Sequence, residues 1–230
     1  MLKGASLAVR ILGIETSTRR GSVALVDRGQ LILSAEHEAR NAHAETLLPL
    51  IERLMAEAGW AKTALERVAV GIGPGSFTGL RVGIALAHGI GLGLDIPVVG
   101  VGSLASMAWA VPDGDGRVRY PILDARREEV FLAAYSADGA ELEAPRALAR
   151  SELESYAARL ESAAEHVLLG EVCREFSLPH LLSTPETDLP HASFTARIGS
   201  LLPESTPSDP MYVRDAGAVR PELPPSPFRA

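Results

Sequence analysis

The region 71–102 constrains the fold of this 230-residue chain more than any other part of the sequence. It contains ten of the 21 glycines and lies within a pattern of a strand at 68–72, a glycine turn, a helix at 76–92 and a strand at 97–101. Residues 82–94 of this helix carry no formal charge, and a helix that is apolar all round is buried on more than one side. The pattern therefore predicts an α/β protein in which this helix packs on a sheet.

The sequence before this region completes the prediction of a mixed sheet with helices packed on it. Polar turns separate three short apolar runs, as in an antiparallel meander of strands, at 10–15, 22–27 and 30–37. A helix is expected at about 43–58, with Gly59 as its C-cap. Pro49 leaves two starts open for this helix, a cap at Thr46 or a kinked helix from Asn41.

Glycine and proline also indicate how the chain divides. The turn at 112–116, with the sequence Pro-Asp-Gly-Asp-Gly, is a linker candidate and predicts an N-terminal lobe at 1–111 and a smaller C-terminal lobe at 112–205. Seven of the 16 prolines lie from Pro203 onward, so residues 206–230 are expected to form a tail without a regular helix or central strand. The elements predicted for the C-terminal lobe lie at 118–124, 129–136, 151–163, 166–169 and 192–202, with a hairpin turn at Asp138 and Gly139.

Charge and cysteine content exclude several classes of function. The chain has 29 acidic and 22 basic residues and a formal charge of −7, so it lacks the basic field that autonomous nucleic-acid binding needs. The single cysteine, Cys173, excludes an internal disulfide framework and a multi-cysteine metal site, and it favours a reduced, cytoplasmic location. Arg10 interrupts the N-terminal apolar run, and polar residues interrupt the one at 82–111, so neither a signal peptide nor a membrane span is expected.

No catalytic or ligand-binding motif is complete. The run Gly-Pro-Gly-Ser-Phe-Thr-Gly at 73–79 stands between a strand and a helix, but its spacing matches neither a dinucleotide-binding loop, a P-loop nor a nucleophile elbow. We interpret it as a tight turn with Ser76 as the N-cap. His37 and His43 are six residues apart rather than four, and the charged cluster at 124–129 has the pattern of a solvated turn. We therefore expect no catalytic residue, no cofactor and no metal.

The helices at 43–58 and 76–92 carry the clearest functional signal. The first has an apolar arc of roughly 160°, wider than the ~100° stripe that covers one core, and the second has glycines every four residues, which lets another helix approach closely. Two interpretations stay open: the first helix covers the second, or both form a protein–protein interface. The residues predicted for such an interface are His43, Leu47, Leu50, Ile51, Leu54, Gly79, Val82, Gly83, Leu86 and Ile90.

Several blocks of sequence resemble a known family in the same order along the whole chain. They are ILGIETS at 11–17, SVAL at 22–25, the stretch 43–50, GPGSFTGLR at 73–81, VGVGSL at 99–104, ILDAR at 122–126 and PMYVR at 210–214. In these blocks the sequence resembles TsaB, also called YeaZ, the bacterial tRNA threonylcarbamoyladenosine biosynthesis subunit. The run at 73–81 is the most specific of them.

The resemblance implies an actin/Hsp70-like ATPase fold of two lobes, each with a mixed sheet flanked by helices. It also implies membership of the complex that transfers threonylcarbamoyl to the adenosine beside the tRNA anticodon. In that family catalysis belongs to a paralogue, TsaD, which carries the metal-binding histidines, and a TsaE-like ATPase acts in the same complex. The chain would then be a non-catalytic subunit that pairs through the two helices with TsaD, or with a second copy of itself, and meets tRNA only in the complex.

One departure from related ATPases concerns the first hairpin. Those proteins place an aspartate and a glycine there to handle metal and phosphate, whereas this chain has Glu15, Ser17 and Thr18. We therefore expect no productive ATP hydrolysis. The alternatives are an actin-like small-molecule kinase or ATPase, which needs phosphate loops in both lobes, and a protease-like protein, which needs a nucleophile and a base that the sequence does not indicate.

Overall fold

A computed structural model describes residues 10–38, 43–160, 165–178 and 180–213, with His43 and Ala44 described by their backbone only. These residues form two five-stranded mixed sheets with helices packed against them, which confirms the predicted α/β class. The first sheet consists of β1 (Arg10–Glu15), β2 (Arg20–Asp27), β3 (Gln30–Glu38), β4 (Arg67–Gly73) and β5 (Val98–Gly102), in the spatial order β3-β2-β1-β4-β5. The second consists of β6 (Val118–Arg126), β7 (Glu129–Tyr135), β8 (Glu141–Ala149), β9 (His166–Leu169) and β10 (Leu181–Leu182), in the order β10-β9-β6-β7-β8.

Six α-helices are described, four between these strands and two after the last strand. They are α1 (His43–Glu57), α2 (Phe77–Leu94), α3 (Ser103–Ala108), α4 (Arg150–Ala158), α5 (Pro185–Asp188) and α6 (Ala192–Gly199). The three N-terminal strands form the predicted antiparallel meander, and β4 pairs in parallel with both β1 and β5. Leu12 and Ile14 of β1 face the side covered by α1 and α2, whereas Ile11 faces the side covered by α6.

The start of α2 agrees with its sequence, and α1 begins at residue 43 as expected for the helix at about 43–58, although Pro49 suggests two other starts. Ser76 is the N-cap of α2, because its hydroxyl accepts a hydrogen bond from the Gly79 N–H at 3.3 Å. α1 begins at His43 and contains Pro49 in its interior. The predicted start at Thr46 is therefore wrong, and the alternative start at Asn41 lies outside the described residues.

The second sheet contains one long strand, β8, for which the sequence indicates only the hairpin turn before it. β8 follows the predicted turn at Asp138 and Gly139 and pairs antiparallel with β7. It lies at the edge of the sheet, its side chains are exposed or half-buried, and it contains Pro145. An edge strand uses its backbone donors on one side only, so it tolerates proline and a polar sequence that shows no clear strand pattern.

α6 follows the second sheet in sequence but packs on the first. The Ala192 N–H at its start donates to the Ser22 hydroxyl at 3.0 Å, and a Cβ at Gly13 would lie 2.3 Å from the Ala192 carbonyl oxygen. At the other end, the buried Arg67 guanidinium donates to the carbonyls of Gly199 and Leu202 at 2.8 and 2.9 Å. α6 thus connects the two sheets, and the lobe boundary at 111/112 stays a prediction.

The segment 203–213, which we call the strap, returns along the side of the first sheet that carries α2. Its Pro207 carbonyl oxygen would lie 2.4 Å from a Cβ at Gly100 of β5, so only glycine leaves room for the strap there. The Ser208 hydroxyl contacts the His88 Nε2 of α2 at 3.0 Å. The strap is therefore packed and hydrogen-bonded, although its described residues form no helix or strand.

α2 is long and apolar enough, by length and composition, to span a membrane. It packs on β4 and against α1, however, within the apolar cluster that includes both. A helix of this kind is typical of the core of a soluble α/β protein. The described part of the chain has that architecture, and the cytoplasmic location stays a prediction.

Candidate interaction surface and interlobe cleft

The residues predicted for an interface fall into two groups by burial. Leu47, Ile51 and Leu54 of α1 are buried in the core of the first lobe, packed with side chains of β1, β2 and β4. The half-buried members, at the rim of that core, are Leu50, Val82, Leu86 and Ile90. The side chain of His43 lies outside what the structure describes.

Gly79 and Gly83 face the chain's own β1–β2 turn. The Thr16 hydroxyl donates to the Gly79 carbonyl at 2.9 Å. A Cβ at Gly79 would lie 2.1 Å from the Thr16 carbonyl oxygen, and one at Gly83 would lie 2.2 Å from the Thr16 Oγ1. The prediction of an open groove over these two glycines is therefore wrong, because the turn already fills it.

The exposed apolar surface of the helix pair lies further along α2. Leu92 is 88% exposed and Leu48 of α1 is 46% exposed, and Gly89 and Gly93, one turn apart on α2, have open space where a Cβ would stand. Between the helices lies a groove of about 210 Å³, and its walls are mainly apolar. The groove is lined by Leu48, Ile51, Glu52, Met55, Lys62, Leu65, Ile90, Gly93 and Leu94.

Sequence reasoning found only part of this groove. Ile51 and Ile90 are among the predicted interface residues, whereas Leu48, Met55 and Gly93 are not. The available signal was the uncharged end of α2, in which leucine and glycine alternate up to Leu94. Which face of this end of α2 points to solvent depends on the orientation of the helix about its axis against β4, and the sequence does not specify that orientation.

Glu15 is a fully buried carboxylate at the end of β1. Its Oε1 accepts hydrogen bonds from the N–H groups of Thr16 and Ser17 at 3.0 and 2.9 Å. Its Oε2 accepts from the Thr195 hydroxyl of α6 at 3.3 Å, and the Ser103 hydroxyl of α3 lies 3.4 Å from both oxygens. Burial raises the pKa of Glu15, and these hydrogen bonds oppose the rise. The carboxylate joins three elements instead of facing solvent.

A cleft of about 950 Å³ lies between the two lobes. Its walls come from the β1–β2 turn, the start of α2, the β6–β7 hairpin and the strap. The side chains at its surface include Ser17, Thr18, Arg19, Phe77, Arg81, Asp124, Arg126, Arg127, Glu171 and Tyr212. The charged cluster at 124–129 is exposed at residues 126–128 and forms the turn of this hairpin, as predicted.

Two side-chain contacts between a serine and a histidine occur in the described residues, one between Ser208 of the strap and His88 and one between Ser193 and His191. The His191 Nδ1 lies 2.8 Å from the Ser193 Oγ and also accepts from the Ser193 N–H at 3.2 Å. Burial, followed by the positive charge of Arg20, lowers the pKa of His191 to about 4. Ser193 is buried at the start of α6. The pair is therefore an N-cap of α6 and offers no accessible nucleophile.

Metal and thiol chemistry also lack a site in the described part of the chain. Among these residues, no group of three or more histidine, cysteine or acidic side chains could hold a metal ion. Cys173 is buried, and burial raises its thiol pKa to about 12. A thiol with such a pKa is protonated at neutral pH and is a weak nucleophile.

Comparison with known proteins places the sequence among tRNA-modification proteins. The family model described as TsaD, tRNA N6-adenosine threonylcarbamoyltransferase, matches residues 35–182. The tRNA threonylcarbamoyladenosine biosynthesis protein TsaB of Escherichia coli is 38% identical over 131 residues, which cover 56% of each chain. The chain thus matches about half the length of such curated relatives. An uncharacterized protein of Mycobacterium tuberculosis is 38% identical over 174 residues, 74% of this chain and 80% of that protein.

The structure gives the same relationship over almost the whole chain. YeaZ from Pseudomonas aeruginosa superposes with a TM-score of 0.73 at 28% identity, and the match covers 89% of this chain and 99% of that one. Two mixed sheets flanked by helices, shared with more distant members of the class, constitute the actin/Hsp70-like ATPase fold that the resemblance implies. On sequence and structure together, the chain belongs to the TsaB (YeaZ) family.

Proposed function

We propose that this chain is a non-catalytic, cytoplasmic subunit for threonylcarbamoyladenosine modification of tRNA. It binds and supports a TsaD-like catalytic paralogue, with a TsaE-like ATPase in the same complex, and meets tRNA as part of that assembly. Family membership supports the pathway, because the matched relatives are named for this biosynthesis. The net charge of −7 supports the dependence on partners for tRNA binding.

The observation that carries the proposal is the apolar groove between α1 and α2. Leu48, which lines the groove, is 46% exposed, and Gly93 leaves room for an approaching helix. Exposed apolar surface of this kind indicates a protein contact, and a groove between helices accepts an apolar helix face. We infer that the partner's helix packs here, over the ends of α1 and α2 rather than over Gly79 and Gly83.

We expect the same surface to form a homodimer when the chain is without its partner. An apolar groove that is left without its partner is covered by a second copy when the protein concentration is high enough. The TsaD-like paralogue and the second copy would then compete for one surface. Sedimentation of the chain over a range of concentrations, with and without the paralogue, measures this competition.

Three local arrangements support a non-catalytic role. Glu15 is enclosed by its hydrogen-bond donors, Cys173 is buried and protonated, and Ser193 is held in a helix cap. The kinase or ATPase alternative is tested by titrating Mg-ATP into the isolated chain, where we expect no saturable binding and no hydrolysis. The protease-like alternative is tested with a fluorophosphonate probe, which we expect to leave Ser193 unlabelled.

The proposed function is tested by co-purification and reconstitution. The chain is co-expressed with the TsaD-like paralogue of the same organism, and tRNA modification is assayed with and without the chain. We expect a stable complex and modification that depends on the chain. A fully active paralogue in the absence of the chain would contradict the proposal.

A further inference from the structure

Two exposed aromatic rings meet at the mouth of the interlobe cleft. Phe77, at the start of α2, is 50% exposed, and Tyr212 of the strap is 48% exposed. Their ring centroids are 5.4 Å apart and their planes are tilted by 32°. The Arg81 guanidinium lies 3.8 Å from the Phe77 centroid, and its Nε donates to the Tyr212 hydroxyl at 3.3 Å. Large aromatic side chains held together in water indicate a surface for a ligand.

The strap fixes Tyr212 in this position. The N–H of the preceding Met211 donates to the Ile72 carbonyl at 2.7 Å. On the other side, Val213 packs against the apolar cluster that includes Leu123 and Phe131. The aromatic pair is therefore held from both sides before a ligand binds, which lowers the entropy cost of binding.

The cleft also carries positive charge. Arg126 and Arg127 of the β6–β7 hairpin are exposed and line it. Both acidic residues of its lining are already paired with arginines, Asp124 with Arg150 and Glu171 with Arg19. The cleft thus presents an excess of guanidinium groups on a chain whose net charge is −7.

We propose that the cleft mouth binds an unpaired nucleotide of the tRNA that the complex modifies. The base lies on the Phe77–Tyr212 pair and the neighbouring phosphates lie near Arg81 and Arg127. Every base has a π-face and stacks on aromatic side chains, and guanidinium groups attract phosphates. A proline-rich peptide also binds aromatic surfaces, but it does not require the arginines of this cleft. The inference rests on the proposed function, which supplies the RNA.

The test uses the assembled complex of this chain with its TsaD-like paralogue and measures tRNA affinity at several salt concentrations. Phe77→Leu and Tyr212→Leu each remove a ring but keep apolar bulk, and we expect either to weaken binding by about tenfold with an unchanged salt dependence. Arg127→Gln removes a phosphate contact, so we expect weaker binding and a salt slope smaller by about one.

Matched controls lie at the opposite end of the first sheet. Trp60 stacks there with Arg10, and Arg28 follows β2. We expect Trp60→Leu and Arg28→Gln to leave tRNA affinity unchanged. Because Phe77 is the first residue of α2, a thermal melt accompanies its variant, and Tyr212→Leu tests the same platform from the strap.

The proposal is overturned if the complexes with Phe77→Leu, Tyr212→Leu and Arg127→Gln bind tRNA with unchanged affinity and salt dependence. It is also overturned if these substitutions weaken assembly with the paralogue but not RNA affinity, since the cleft is then a protein contact. Failure of the unsubstituted chain to assemble contradicts the proposed function instead, and it is observed before RNA is added.

Discussion

At the scale of single residues, the buried Glu15 carboxylate links protonation to stability. Burial raises its pKa because the charged form loses hydration, and the N–H groups of Thr16 and Ser17 compensate only in part. The folded state therefore binds the proton more tightly than the unfolded state. Its contribution to stability is fully present below the unfolded pKa near 4.5 and is lost as pH rises through the raised folded pKa.

Glu15→Gln removes this titration while keeping a carbonyl oxygen for the two backbone N–H groups. We expect the variant to be at least as stable as the unsubstituted chain at pH 7. We also expect the difference between the two free energies of unfolding to grow as pH rises from about 4.5 to 7. Urea unfolding at several pH values measures that difference. A variant that loses more stability at pH 7 than at pH 5 would mean that the charged form is stabilised in the fold.

Gly83 is required by contact with the same turn. A Cβ at Gly83 would lie 2.2 Å from the Thr16 Oγ1, so we expect Gly83→Ala to destabilise the chain by about 1–3 kcal/mol. Thr16→Ala removes that oxygen, and the double variant should therefore recover part of the loss. Gly93→Ala is the matched control, because its Cβ points into open space and alanine favours a helix by up to about 1 kcal/mol.

Urea unfolding of the four chains gives the coupling between Gly83 and Thr16. If the changes in the free energy of unfolding caused by Gly83→Ala and Thr16→Ala are strictly additive, the turn does not fill the space over α2. That result would then return Gly83 to the set of residues available to a partner helix.

At the scale of elements, α6 depends on its N-cap, His191. The buried imidazole has its pKa lowered to about 4 from an ordinary value of 6.5. Its contribution to stability is therefore present above pH 6.5 and is lost as pH falls towards 4. The positive charge of Arg20 lowers the pKa of His191 further, because it disfavours a positive charge on the imidazole nearby.

His191→Asn keeps a side chain that caps helices well and removes the titration. We expect the unsubstituted chain to lose up to about 3 kcal/mol between pH 6.5 and 4 from this group, and the variant to lose correspondingly less. Thermal melts across that range, compared with those of His166→Asn on β9, give the difference. An unchanged acid dependence in His191→Asn would show that the imidazole titrates normally in the fold.

The elements differ in how far their sequences predict them. The meander, β4, α2 and β5 follow from apolar runs and the Ser76 cap, because local pattern and tertiary packing agree there. β8 escapes such reasoning because an edge strand needs no apolar alternation. The glycine spacing in α2 correctly indicates close packing, but spacing cannot distinguish a partner helix from the β1–β2 turn that fills the space. The groove beyond it depends on helix rotation and was only partly predicted.

At the scale of the whole molecule, α6 connects the two sheets. The apolar groove lies between α1 and α2, and the cleft lies between the two lobes. Buried arginines fix the connecting helix, with Arg20 on the carbonyl of Pro185 before α6 and Arg67 on carbonyls after it. Hydrogen bonds from a charged group to buried carbonyls contribute about 1.5–3 kcal/mol each. These hydrogen bonds hold the groove and the cleft in a fixed relation, which the proposed role in binding partners requires.

The central claim is that the groove between α1 and α2 binds the catalytic partner. Leu48→Glu tests it most directly, because Leu48 lines the groove and is 46% exposed, so its replacement disturbs little of the fold. The matched control is Leu142→Glu on β8 of the second sheet, where the leucine is 56% exposed.

The measurement is the affinity of each variant for the TsaD-like paralogue, followed by tRNA modification at fixed subunit concentrations. A charge in a dehydrated contact opposes binding strongly, so we expect Leu48→Glu to weaken the complex by at least about 30-fold (about 2 kcal/mol) and to reduce modification accordingly. Leu142→Glu should match the unsubstituted chain in both. A folded Leu48→Glu variant that binds the paralogue and supports modification as well as the control would contradict the account.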